Sequence, residues 1–206
     1  MIKILGNIPR NINIACSGGI DSMVAVDFLK RNHGITLLFF NHGTDASKEA
    51  ENFLKKYSEN NNIPIVIGNI SNYEKDKRES QEEFWRRCRY DFFKNNSLDK
   101  AVVTCHHLDD VLETWVFTSA HGNPKTIPYE RKDINVIRPF LINRKDEFVK
   151  WAAKYNVKYV EDKSNNDLKY KRNFIRHSVV PEYVKINSGI YTVLKKKYNV
   201  LEERTM

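Results

Sequence analysis

The sequence predicts an α/β protein: an open parallel sheet with helices on both faces, followed by a small basic helical appendage. Four apolar runs of strand length, at 12–16, 35–41, 63–70 and 100–106, are rich in Val, Ile and Phe. They lack polar alternation, as strands covered on both faces do. Helical patterns separate them, at 21–32, 47–60 and 80–95, so the order β-α-β-α-β-α-β implies parallel pairing through crossovers.

The first strand, "INIAC", leads through two glycines into the helix that begins at Asp21. The second, "ITLLFFN", and third, "IPIVIGNI", precede helices rich in charge. The fourth, "KAVVTCH", runs into a helix from about Leu108 to Ala120. An irregular stretch with Pro124 and Pro128 follows, then an extended piece "INVIRPFL" and a helix over 145–155. The remaining segment opens with turn formers and continues as basic helix, which Pro181 is expected to break.

At 206 residues, with 41% apolar and 29% charged side chains, the chain suits one main domain with an appendage, placed at 1–165 and 166–206. A net charge of +8 favours a polyanionic partner. The excess is C-terminal: nine Lys and Arg stand against three Glu between Lys169 and Arg204. Three cysteines without a Cys-x-x-Cys pair suggest neither a disulfide framework nor a zinc ribbon. No apolar run approaches the roughly 18 residues of a membrane span, and the N-terminus has too short an apolar core for a signal peptide. A soluble, cytoplasmic protein with no membrane partner is expected.

The first turn carries the chemistry. In open α/β sheets, ligands settle beyond the carboxyl ends of strands where strand order reverses. There "SGGIDS" sets Ser17, Gly18, Gly19, Ile20, Asp21 and Ser22. The glycines permit positive φ and close backbone approach, and the helix start leaves N–H groups for an anion. The spacings of the Walker loop, the dinucleotide fingerprint and the nucleophile elbow are all absent. Asp21 beside phosphate would repel it unless a divalent cation intervenes, so Mg²⁺ is implied. A plain tight turn, with Asp21 favoured by the helix dipole, is the alternative.

The fourth strand ends in "TCHHLDDVLETWVF", which spaces His106, Asp110 and Glu113 along one face if the helix starts early. Two neighbouring carboxylates suit a metal ion or a general base. Equally, Asp109 and Asp110 cap a helix whose Glu113 is solvated. His42 stands at a strand end, where a satisfied edge histidine is the commoner outcome. Arg86 and Arg89 suit phosphate or a solvated helix face, and Arg172 and Arg176, one turn apart, suit pyrophosphate or an RNA backbone.

The loop S-G-G-I-D-S after an apolar strand resembles the PP-loop of the ATP pyrophosphatase superfamily, whose members split ATP into AMP and pyrophosphate. That resemblance implies an adenine nucleotide α-hydrolase-like sheet. The run of His106, His107, Asp110, Glu113 and Thr114 is similar to the H-H-x-x-D-x-x-E-T motif of tRNA(Ile)-lysidine synthetases. "FNHGT", "RRCRY", "RPFL" with Arg138, and "EDKSNNDLKYKRNFIR" agree with that family in the same order.

The family resemblance implies ATP and Mg²⁺ as cofactors, tRNA as partner and free L-lysine as co-substrate. The reaction would join lysine to C2 of the wobble cytidine of a tRNA(Ile) with a CAU anticodon, releasing AMP and pyrophosphate. By resemblance Asp21, Asp110, Glu113 and Arg172 are the catalytic candidates, with Asp21 and Asp110 holding Mg²⁺. His42, Arg86, Arg89, His106, His107, Arg138 and Arg176 are expected to contact RNA or phosphate. Synthetases of this type usually continue into further C-terminal domains, whereas 30 residues follow Arg176 here, so either the basic tail replaces them and completes the site, or selectivity is relaxed, or the RNA substrate differs. Two alternatives are nucleobase thiolation by a related PP-loop enzyme and a non-catalytic nucleotide- or RNA-binding relative. A small-molecule amidating relative lacks support from the H-H-x-x-D and R-N-x-x-R segments.

Overall fold

A computed structural model describes residues 1–97, 99–161 and 167–198. The Asp162–Asn166 part of the expected D-x-S-N segment, and with it the proposed domain boundary, lies outside the described residues, as do the charges after Tyr198.

The strands are β1 (Asn11–Ala15), β2 (Gly34–Asn41), β3 (Ile65–Asn69), β4 (Val102–Val103), β5 (Glu130–Arg131) and β6 (Val136–Ile137). They form one sheet in the order β3-β2-β1-β4-β6-β5. All pairings are parallel except β5 with β6. That antiparallel edge falls in the stretch expected to be irregular, because two residues beyond Pro128 carry no periodic signal. Order reverses between β1 and β4, so the crevice for a ligand opens where those two strands end.

The crossover helices are α1 (Ile20–Leu29), α2 (Asp45–Asn61) and α3 (Gln81–Asn95), followed by α4 (Leu108–Ser119) and α5 (Lys145–Tyr155). Side chains of β2 alternate between two cores. Leu37 and Phe39 join Met23, Val26, Leu54 and Phe148 under α1, α2 and α5, whereas Leu38 and Phe40 join Phe84, Cys88 and Phe92 under α3. Burial on both faces explains the unbroken apolar run in the sequence. The three cysteines are free thiols: Cys16 and Cys88 are buried and Cys105 is half-buried.

Beyond residue 167 the chain forms α6 (Lys171–Phe174), a π-helical turn over Ile175–Val179, α7 (Val180–Ile186) and α8 (Ile190–Lys196). Pro181 does not break this helix, contrary to expectation. Proline lacks the N–H and crowds the carbonyl four residues back. The helix absorbs it by widening, so that the Val180 N–H reaches back to the Ile175 carbonyl. Val180, Val184, Ile190, Leu194 and Tyr198 pack on Leu108, Val111, Leu112 and Val116 of α4. Among the described residues no helix is long and apolar enough to cross a membrane.

Candidate active site

The turn after β1 forms a bend that is open on one side. Gly18 takes φ +82°, and a Cβ there would meet Ala50, Phe53 and Leu54 of α2 at 3.5–3.8 Å. Its carbonyl accepts the Val160 N–H at 2.9 Å, which ties the bend to the segment after α5. At Gly19, the residue before α1, a Cβ would meet only Ser17 Oγ at 3.5 Å. The Ser22 hydroxyl donates to the Gly19 carbonyl at 2.9 Å and lies 3.4 Å from Ser17 Oγ. The Gly19 side of the bend is therefore open apart from Ser17, which leaves room for a phosphate at the start of α1.

Beside the bend lies an acidic group. His107, 3% exposed, is the residue before α4, and its backbone N–H donates to Asp110 Oδ2 at 2.9 Å. Its ring lies between Asp21 at 3.7 Å, Asp109 at 3.7 Å and Asp110 at 3.5 Å. Burial works against a charged imidazole, but Asp110, Asp21 and Asp109 outweigh it and raise its pKa. Burial would likewise lift the Asp21 carboxyl, yet His107 and Lys145 hold it at about 2. Lys145 Nζ is 2.5 Å from Asp21 Oδ1.

Glu113 is 6% exposed and makes a two-pronged pair with Arg176, Nε to Oε1 at 2.6 Å and Nη2 to Oε2 at 3.0 Å. Arg176 also reaches Asp110 Oδ1 at 3.4 Å. It comes from the π-helical turn, so the widening that accommodates Pro181 sits where this cation is aimed. Burial raises the Glu113 pKa despite Arg176. A carboxyl lifted in this way is a stronger base than an ordinary carboxylate. Glu113 and Arg176 line a cavity of about 420 Å³ with Asp21, His107, Asp109, Arg144, Lys145 and Tyr191.

One expectation needs correcting. α4 starts at Leu108, after His106, so His106 does not share a helical face with Asp110 and Glu113. Its ring instead pairs with Thr104 at 2.9 Å. Burial, opposed by Asp110 and reinforced by Arg138 and Arg89, holds its pKa at about 4.

The remaining predicted residues form a basic group at the ends of β2, β4 and β6. Arg89 is held below its ordinary pKa by burial and by Arg86 and Arg172. His42, brought to about 4 by burial and Arg89, has a buried Nδ1 without a hydrogen bond. Arg138, 2% exposed, donates to the Pro128 carbonyl at 2.8 Å, while its Nε is buried without a partner. Arg86 and Arg131 stack on Tyr90 at 4.9 and 5.0 Å. Burial would raise the Tyr90 pKa, but Arg86, Arg138 and Arg89 lower it on balance. Arg172 is 54% exposed and lies 3.9 Å from Glu82, on the basic rather than the acidic side. Partnerless buried nitrogens among clustered cations fit an anion.

Lys145, Arg144 and Tyr191 were not among the residues singled out from sequence, and Asp109 was read there only as a helix cap. Asp109 accepts Arg144 Nε at 3.3 Å, the Lys145 backbone N–H at 2.7 Å and the Tyr191 hydroxyl at 3.0 Å. Arg144 stacks on the Tyr191 ring at 3.3 Å. Burial and Asp109 push the Tyr191 pKa up to about 12. These contacts join α4, α5 and α8 across long sequence separations, and no local spacing signals them.

A magnesium ion fits only where its coordination is shared with donors other than the side chains of this site. Among the described residues no three His, Cys, Asp or Glu side chains are grouped to hold an ion. Asp110 faces His107 and Arg176, whereas Asp21 edges the bend. Carboxylates completed by nucleotide phosphates and water are the usual magnesium arrangement.

The two depressed histidines set a pH dependence. Between pH 6.5 and 4 the unfolded chain binds protons that folded His42 and His106 refuse, so stability falls as pH falls. The upper bound is about 3 kcal/mol for each histidine. His107 works oppositely: its contribution is full below pH 6.5 and is lost as pH rises through its raised folded value. Urea unfolding is expected to show a lower midpoint at pH 4.5 than at 6.5, and a flat profile would contradict the neutral state of both rings.

An open sheet with its crevice at the β1/β4 reversal, a glycine bend there and carboxylates beside it define a nucleotide-binding α/β domain. The chain belongs to the PP-loop domain family, whose model matches residues 3–183, and that family uses ATP. It is 32% identical over 196 residues to a tRNA(Ile)-lysidine synthase of Thermotoga maritima, covering 88% of this chain and 47% of that protein. The synthase of Thermosipho africanus is 34% identical over 190 residues, covering 85% and 44% respectively. That of Staphylococcus aureus is 33% identical over 191 residues, again covering 85% and 44%. The chain thus spans somewhat under half the length of these relatives. Its fold is similar to that of an NH3-dependent NAD synthetase from Campylobacter jejuni, with a TM-score of 0.52 and 15% identity over 94% of this chain and 86% of that one.

Proposed function

We propose that this protein is an ATP-dependent tRNA-modifying ligase of the cytoplasm. It joins free L-lysine to C2 of the wobble cytidine of a tRNA(Ile) with a CAU anticodon. The observation that carries this reading is the pairing of the open Gly19 side of the bend with the Glu113-lined cavity next to it. The similarity to lysidine synthases supports it.

In the first step the cytosine C2 oxygen attacks the α-phosphate of ATP and pyrophosphate leaves. The Ser17–Ser22 bend receives that leaving group through backbone N–H and hydroxyl donors. Asp21 would hold a magnesium ion, which would supply charge neutralisation. In the second step the lysine ε-amine attacks C2 and AMP departs. A lysine ammonium has an ordinary pKa of about 10.4, so it must lose a proton before it attacks. Glu113, with its raised pKa, is the acceptor, and Asp110 fixes Arg176 beside it. The exposed Arg86 and Arg172 of the basic group hold RNA phosphate, because guanidinium grips phosphate through paired N–H donors, and the more buried Arg89 and Arg138 add positive field behind them.

Mass spectrometry of nucleosides from tRNA(Ile) incubated with the protein, ATP and lysine tests this reading. A cytidine heavier by one lysyl addition, and only when lysine is present, is the expected result. A thiolated cytidine, or an unchanged one where a known synthetase succeeds, would overturn it.

A further inference from the structure

We propose that Lys145 is the phosphate-binding cation of this site, delivered by α5 to a bend that carries none of its own. The inference rests on ATP use by the PP-loop family and not on lysidine chemistry.

Between Ser17 and Ser22 there is no Lys or Arg. The Lys145 ammonium reaches that bend from 124 residues away and touches Asp21 Oδ1 at 2.5 Å. Its backbone is held in place, since Asp109 Oδ2 accepts its N–H and the Glu147 carboxylate closes the start of α5 on the Arg144 N–H at 3.0 Å. The ammonium is therefore positioned by a braced helix start.

The other cations lining the cavity are engaged elsewhere. Arg176 grips Glu113 and Asp110, and Arg144 lies between Asp109 and the Tyr191 ring. Among the Lys and Arg side chains lining the cavity, Lys145 alone pairs with a residue of the bend. Its ammonium has three donors and Asp21 needs one, so the others can serve a phosphate. The side chain is 39% exposed, open enough to meet a ligand. A compact ammonium on a flexible stem serves phosphate as a point charge. Asp21 is also faced by His107, so neutralising that carboxylate does not require Lys145.

The competing role is a simple counter-charge for Asp21, and a double-mutant cycle separates the two. Binding of inorganic pyrophosphate to the full chain is measured by calorimetry in a metal chelator, without RNA or lysine. The proteins compared are wild type, Asp21→Asn, Lys145→Met, Lys145→Arg and the Asp21→Asn/Lys145→Met pair, each checked for fold by circular dichroism.

Asp21→Asn is expected to bind at least as tightly as wild type. The double variant should bind at least about tenfold more weakly than Asp21→Asn, and Lys145→Arg should keep most of the affinity. Equal binding by Asp21→Asn and the double variant overturns the proposal, as does absence of pyrophosphate binding by wild type and Asp21→Asn alike. Loss of the lysyl product in the RNA assay with this binding pattern intact would discard the ligase reading and leave the Lys145 assignment standing.

Discussion

Asp21→Asn is expected to lower RNA-dependent formation of AMP by about 10²–10³-fold, the range seen when one preorganised charge-stabilising group is removed. The carboxylate is held ionised at about 2 by His107 and Lys145 against the effect of burial, so it is charged throughout the working pH range. Asparagine keeps its shape and removes only the charge. With the charge go the counterpart of Lys145 and the carboxylate proposed to share magnesium with the phosphates. The stability cost is limited to about 2 kcal/mol, the linkage value of the depressed carboxyl. It applies above pH 3.8 and vanishes as pH falls toward 2, where the native carboxylate is itself protonated. Circular dichroism should therefore show a folded protein. AMP formation within a few-fold of wild type would remove Asp21 from the chemistry.

Arg176→Met is expected to cost about 2–3 kcal/mol of stability as well as activity. Breaking a fully buried ion pair by removing one partner costs roughly 3–5 kcal/mol, because the remaining charge is left uncompensated. The Arg176 side chain is 40% exposed, so solvent screens part of that loss, but Glu113 is buried and cannot turn to water. For a chain of this size the melting temperature should fall by roughly 5–10 °C. Without its partner the Glu113 carboxyl should rise further above its ordinary pKa, moving the acid limb of the activity profile to higher pH. Glu113→Gln/Arg176→Met should recover much of the stability and none of the activity. Unchanged stability in Arg176→Met would show that the pair is not closed in solution.

Much of this architecture was legible because it is local. The apolar run that became β2 is buried on both sides, and that burial is what removed alternation from Leu37 to Phe40, whereas β3 stands at the sheet edge with Val66 exposed. The bend was legible because Gly18 needs its positive φ, and both glycines stand next to a strand end. Asp110 and Glu113 were found by their spacing, one helical turn apart on α4. Their common partner Arg176 was singled out too, but nothing near it in sequence announces that it closes on them from 63 residues away.

What escaped is set by long-range contacts or very short elements. Lys145 reads locally as an ordinary helix-start lysine, and only the parallel crossover brings it to Asp21. Tyr191 reads as one apolar position of a basic helix, yet it braces Asp109. β5 has two residues, too few for any period. Pro181 reads as a helix breaker because the rule assumes a regular helix, and a π-helical turn evades it.

The central claim is that ATP is cleaved at its α-phosphate, with the departing diphosphate received by the Gly18–Gly19 bend. Phosphorus NMR of a reaction containing the protein, ATP, lysine and tRNA(Ile) tests it most directly. The account predicts AMP and pyrophosphate in equal amounts, formed only when the RNA is present. ADP with orthophosphate, or AMP released at the same rate without RNA, would contradict it.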